Sequence, residues 1–253
     1  PIWGCETDEQ LNVVSLESDL PSLSIGGERD IPSLDTLVLK RHYNAACHLE
    51  VDSLRVPQLQ GVLNADPRVF DKTQLLEHIS YQEAIELAFY GASVIHPKTL
   101  QPLQRKEIPL YVKSFLNPKQ KGTKVGKGVR MQPEIPCYIV KKGLSLLRLS
   151  TRDFSFVVEN NISDIFKLLH EHKMSVDVIQ NSAISFSVCV QDKYRNMDAL
   201  LLSLRSRFDV KHTPDVSLYT IRHFEENSAA SLLKSKDLVL EQRTSTTLQL
   251  VLK

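Results

Sequence analysis

Between Gly61 and Asn117 the chain reads GVLNADPRVF, then ISYQEAIELAFYGASVIHPKTLQPLQRKEIPLYVKSFLN, and this stretch leaves little freedom of fold. Gly61 and Pro67 punctuate a tight loop that gathers Asn64, Asp66 and Arg68, the kind of polar set with which loops hold charged ligands. Ile79, Glu83, Ala84, Leu87 and Ala88 recur at helical spacing, which predicts a helix with one face packed inward. Tyr90-Gly91 should stop it, because glycine accepts the left-handed conformation that closes a helix. His96-Pro97 turns the chain, and Pro97 is suited to open a second helix through Leu100, Leu103 and Gln104. Pro109 then leads into Leu110-Tyr111-Val112, a short apolar run that predicts a buried strand.

Composition narrows the classes of function around this stretch. At 253 residues the chain has room for two ordinary domains, and 42% apolar residues can build their cores. Basic and acidic residues balance at 31 and 30, so no long-range field favours nucleic acid or an acidic membrane as partner. Cys5, Cys47, Cys137 and Cys189 are scattered without C-x-x-C or histidine spacing, and are expected as reduced thiols, with no metal site. No apolar run approaches the roughly 20 residues of a membrane span. Residues 1–10 lack the basic and apolar regions of a signal peptide, so a soluble, cytoplasmic protein is expected.

The segments N-A-D-P-R, S-Y-x-E-A-x-E-L-A, G-A-x-V-I-H-P-K-T-L and I-P-L-x-V-K-S-F carry a resemblance. They are similar to the second half of the catalytic domain of aspartate kinase, densely over about residues 61–123 and more loosely to about residue 212. The resemblance implies an α/β chain: the C-terminal part of an amino-acid-kinase three-layer domain, residues 1–118, with 1–55 poorly matched. It implies ATP with Mg²⁺ as cofactors, L-aspartate as substrate, and a nucleotide-facing loop from Gln58 to Arg68. Leu63 would pack near the base and Arg68 would be the phosphate-side cation, steadied by Asp66. The residues themselves allow a second reading, in which Asp66 and Arg68 simply pair to close the loop.

Several positions depart from the family pattern. Gln58, preceded by Pro57, stands where an aspartate is usual, and Ser93 beside Val94 replaces a lysine that faces ATP. The lysine-bearing K-F-G-G-T-S strand and turn is absent from this chain, so no catalytic residue is assigned and the N-terminal catalytic half is expected to be largely lacking. Residues 1–35 show no periodicity, and Thr36–Leu39 reads as a short strand. His96 reads as a turn-capping imidazole.

Lys119, Lys121, Lys124, Lys127 and Arg130, interleaved with glycines and followed by Pro133 and Pro136, could cradle a phosphate but read more simply as a solvated linker over residues 119–137. Beyond it come a strand at 143–150, a helix at 161–172, a strand at 175–179, an alternating strand at 184–190, a helix from Met197 and a strand at 208–212. This βαββαβ order predicts an α+β ferredoxin-like unit, 138–213, and it resembles the ACT domain that follows the kinase domain in the family. Strands at 216–222, 237–242 and 247–252 around a helix at 225–235 look like a partial second copy, 214–253. Paired ACT units imply a homodimer.

The ACT resemblance also implies an effector site where the first loop meets its helix, opposite the strand Ser175-Val176-Asp177-Val178-Ile179-Gln180-Asn181-Ser182. Ser175, Val176, Asp177, Asn181 and Ser182 with Asn160 and Ile162 would line it, Asp177 facing the ammonium of lysine or threonine. Asn160 is expected in a positive-φ turn, and Asn161 as a helix cap. Two functions follow from the resemblance. One is transfer of the ATP γ-phosphoryl group to the aspartate side chain, the first step toward lysine, threonine and methionine, under ACT feedback. The other is a non-catalytic, amino-acid-binding regulatory and dimerisation module.

Overall fold

A computed structural model describes residues 61–92, 95, 97–114, 119–153, 155–233 and 236–253; Gln58, Ser93, Val94, His96 and the strand expected at 36–39 lie outside this set. The chain divides into two compact units, one running to Ile139 and including Arg222–Phe224, the other comprising Val140–Ile221 and Glu225–Lys253.

In the first unit, β1 (His78–Ser80) leads directly into α1 (Tyr81–Tyr90), followed by α2 (Pro97–Lys106), β2 (Leu110–Val112) and β3 (Thr123–Gly126). Ile79, expected on the helix, belongs to β1, because the Ser80 hydroxyl accepts the Glu83 N–H at 3.0 Å and so caps α1 one residue later. Gly91 ends the helix at φ 115°, as its sequence position predicted. β3 is the central strand, parallel to β1 and antiparallel to β2. The reading of residues 119–137 as solvated linker therefore gives way over β3, where Thr123 and Val125 are fully buried. Lys124 within the strand, with Lys121 and Lys127 flanking it, hid a segment whose other residues are buried. Lys124 reaches over the Tyr111 ring and Lys127 pairs with Glu107. The core gathers Leu76, Ile79, Leu87, Leu100 and Val125.

The second unit is built on β4 (Cys137–Ser150), α3 (Glu159–Glu171), β5 (Ser175–Asn181), β6 (Ser185–Gln191), α4 (Met197–Arg205) and β7 (Asp209–Arg222), then α5 (Ala230–Leu233), β8 (Leu238–Arg243) and β9 (Thr247–Leu252). One six-stranded sheet runs β5-β6-β4-β7-β9-β8. Its first four positions have the ferredoxin-like order expected of βαββαβ. The two strands predicted at 208–212 and 216–222 are a single strand, β7, which closes the first set and opens the second. Between the two expected strands Asp215 takes φ 54°, and the chain continues extended on either side. Of the helix expected at 225–235, the described residues show α5 alone, Ala230–Leu233.

Leu147, Leu149, Ile165, Phe186, Val188, Leu200 and Leu204 form one core between sheet and helices. A second core, with Leu144, Leu146, Val178, Cys189, Val216 and Val251, lies on the opposite sheet face. β6 is thus buried on both sides rather than half-buried, with Ser187 and Cys189 also inside. Small polar side chains at alternate positions imitate a solvent face while filling a second core.

Candidate functional sites

The loop after Gly61 is built by side-chain to backbone bonds. Thr123 Oγ1 accepts the Val62 N–H at 2.8 Å and donates to the Leu76 carbonyl at 2.6 Å, tying loop to sheet. Asn64 accepts the Gln74 N–H through Oδ1 and donates from Nδ2 to the Pro136 carbonyl. Asn64 is therefore a structural clamp. Asp66 accepts the Arg68 backbone N–H at 2.9 Å, and its carboxylate also receives Arg68 Nε and Nη2, the latter at 2.7 Å. The bland reading of this pair, closing its own turn, is what the geometry contains. The guanidinium nevertheless stays at the surface, 71% exposed, so its outer edge remains open to solvent. Leu63, half-buried, bridges to Leu75.

A second charged cluster in the first unit was hidden in the helical pattern. Glu83 occupies a core-facing position of α1 and is 7% exposed. Its carboxylate receives Arg222 Nη2 at 2.7 Å and Nε at 3.1 Å, and His223 Nε2 lies 3.0 Å away. Burial pushes the Glu83 carboxyl up, and the hydrogen bonds and charge of Arg222, with the charge of His223, more than offset it, so the group ionises below its ordinary value. Burial also pushes the Cys137 thiol up to about 12, with Glu83 adding to the shift. Ser80, Glu83, Arg130, Met131, Glu134 and His223 line an open cleft of about 480 Å³ beside this cluster. A glutamate at an apolar position of a helical repeat was the available signal, since a buried carboxylate needs a cation. Its partner, 139 residues away, had none.

The expected effector strand carries an irregularity that its sequence does not announce. Val176 pairs with Val190 and Val178 with Cys189, so Asp177 is an extra residue in a β-bulge. Its side chain is 7% exposed, and Oδ1 receives Lys141 Nζ at 2.5 Å. Oδ2 is buried and has no hydrogen-bond partner among the described residues. Lys141 reaches it through a second irregularity: regular alternation from Leu144 and Leu146 would bring Lys142 to that face, but Gly143 at φ 69° breaks the alternation. Nearby, burial pushes the Cys189 thiol up to about 12, and Asp177 adds to it.

The other expected effector residues are dispersed. Ser175, Asn181 and Ser182 are exposed, and Ser182 Oγ bonds Ser185 Oγ at 2.9 Å. Val176 and Ile162 pack against the helix-side core, away from the second core that holds Val178. Asn160 lies in the first turn of α3 rather than in a positive-φ turn, because the helix begins two residues earlier than its apolar pattern indicates. Asn161 does cap, from inside the helix, its Oδ1 accepting the Val158 N–H at 3.0 Å. Among the described residues no group of three or more His, Cys, Asp or Glu could hold a metal ion, and no helix is long and apolar enough to cross a membrane.

Comparison with known proteins agrees with this architecture. Residues 52–114 match the amino acid kinase family. Aspartokinase 1, chloroplastic, of Arabidopsis thaliana is 30% identical over 72% of the chain, which spans 30% of that relative's length. Among solved structures, aspartokinase III of E. coli with lysine and aspartate superposes with a TM-score of 0.61 at 23% identity, covering 77% of this chain and 46% of that one. The aspartate kinase of Clostridium acetobutylicum gives 0.67 at 16%, covering 78% and 50%. By sequence over its middle stretch and by fold over both units, the chain is related to the aspartokinases and carries a segment of the amino acid kinase family.

Proposed function

We propose that this chain is part of an aspartate kinase, transferring the γ-phosphoryl group of ATP to the side-chain carboxylate of L-aspartate and answering to an amino acid through its second unit. The observation that carries this reading is the dense match at residues 52–114, together with the Asn64-clamped loop that presents Arg68 at the surface. An arginine braced by a neighbouring carboxylate offers its remaining N–H groups to a phosphate oxygen with little loss of side-chain freedom. The described residues fit the edge of an ATP site by this one cation. They do not fit Mg²⁺, which calls for carboxylates beside the phosphates, so no step is drawn through the metal.

For the second unit the support is chemical: a buried carboxylate at Asp177 suits an ammonium group, and E. coli aspartokinase III has been solved with lysine and aspartate. β5 is an edge strand, and Phe156, Val158, Ile179 and Ile184 on and beside it are exposed. An edge that no described strand pairs, with apolar flanks, supports a homodimer through this edge. An ATP- and aspartate-dependent hydroxamate assay tests the catalytic reading; turnover reduced by Arg68→Ala supports it, and no turnover from folded protein removes it for this chain. The alternative, a non-catalytic regulatory module, is supported by the complete βαββαβ order of the second unit. It predicts amino-acid binding by calorimetry without ATP binding.

A further inference from the structure

Asp177 is placed as a receptor for an ammonium group, yet it already holds one. The bulge turns its carboxylate toward the buried face that carries Val178 and Cys189, and the Gly143 irregularity brings Lys141 to the same point. Lys141 carries a primary ammonium on a flexible stem, its side chain is 27% exposed, and Nζ donates to Oδ1. Oδ2 remains inside without a donor among the described residues, although buried carboxylate oxygens ordinarily find one. A single tethered amine that serves one oxygen and leaves the other unserved is what a cation subsite looks like when its occupant arrives from one side. A free ammonium carries three N–H donors and can serve both.

We infer that Lys141 is a tethered occupant of an ammonium subsite centred on Asp177, so that the chain supplies from within the cation that a free amino acid would bring. This rests on the proposed amino-acid site in the second unit and sets its regulation. A free amino acid must displace Lys141, so its apparent affinity is the intrinsic one multiplied by the fraction of time the lysine is away. Removing the lysine side chain unmasks the subsite and leaves a buried carboxylate in need of a cation.

The test uses the 253-residue chain, Lys141→Ala and Lys141→Ala/Asp177→Asn. Thermal unfolding is followed in n-butylammonium chloride, with sodium chloride as ionic control, and calorimetry in L-lysine and L-threonine. Lys141→Ala is expected to melt lower than the parent and to regain stability in butylammonium but not in sodium. The parent and the double variant should not respond. If Lys141→Ala does not fold, Lys141→Met keeps the aliphatic stem, and butylammonium binding is read by calorimetry. A folded Lys141 variant indifferent to butylammonium overturns the inference and leaves a purely structural ion pair. Equal response of the parent and the variant overturns it as well. Lysine or threonine binding at least about tenfold tighter to Lys141→Ala than to the parent supports both the subsite and the amino-acid reading. Butylammonium binding without either amino acid keeps the subsite and removes the amino-acid reading. Asp177-dependent amino-acid binding as tight in the parent as in the variant does the reverse.

Discussion

Two acid–base pairs, one in each unit, differ in surroundings more than in chemistry. Asp66 and Arg68 are two residues apart, and their side chains are 37% and 71% exposed. Asp177 and Lys141 are 36 residues apart, at 7% and 27%. The first pair is local and solvated, so it contributes little to stability, which leaves Arg68 free to serve a ligand. The second is held by two backbone irregularities in a buried sheet face, where removing either charge strands the other. Contact with solvent, more than the identity of the charges, decides whether such a pair exchanges partners freely. Glu83 with Arg222 extends the contrast within the first unit, since both side chains there are close to one-tenth exposed.

The change with the greatest predicted cost is Glu83→Ala, which takes from the buried Arg222 both short hydrogen bonds to that carboxylate and keeps the longer 3.8 Å contact to Glu86. A loss of roughly 3–5 kcal/mol in urea unfolding is expected; a loss as small as that of an exposed pair would mean that solvent reaches this cluster. The same carboxylate gives a pH test. Its folded-state value lies below the ordinary 4.5, so its stabilisation is present above that value and is lost as pH falls through the lowered one. Glu83→Gln should flatten the acid limb of stability against pH, and an unchanged limb would assign the acid sensitivity to other carboxylates.

Smaller effects sharpen the comparison. Gly143→Ala introduces no clash, since nothing lies within 4 Å of the added carbon, but it forces a side chain into φ 69°. It should cost about 1–2 kcal/mol, read as a lower midpoint in chemical unfolding, and weaken the Lys141 contact with Asp177. Asp66→Ala should cost under about 1 kcal/mol while reducing ATP affinity in a binding titration, because Arg68 then loses its brace. A large loss of stability with unchanged nucleotide binding would reverse the roles assigned to the two pairs.

Much of the fold was legible because it rests on local signals. The stop at Gly91, the helix from Pro97, the strand Leu110–Val112 and the βαββαβ order all follow from periodicity, capping and punctuation, each acting within a few residues. β3 and β7 depart from expectation in opposite senses. Lysines and glycines made a central strand look like a linker, and two expected strands are one. In the first unit, Asp66 and Arg68 were legible as neighbours, whereas Glu83 with Arg222 was not.

Kinship and the order of elements over residues 61–114 could be read from the chain alone, since motif spacing and helix boundaries are properties of adjacent residues. Which charges meet depends on the folded molecule. Lys141 and Asp177 are joined by a bulge and by one left-handed glycine, and Glu83 and Arg222 by 139 residues of intervening chain. Burial then sets what each pairing is worth, because the energy of a charge depends on the medium around it, and that medium is assembled by the whole fold.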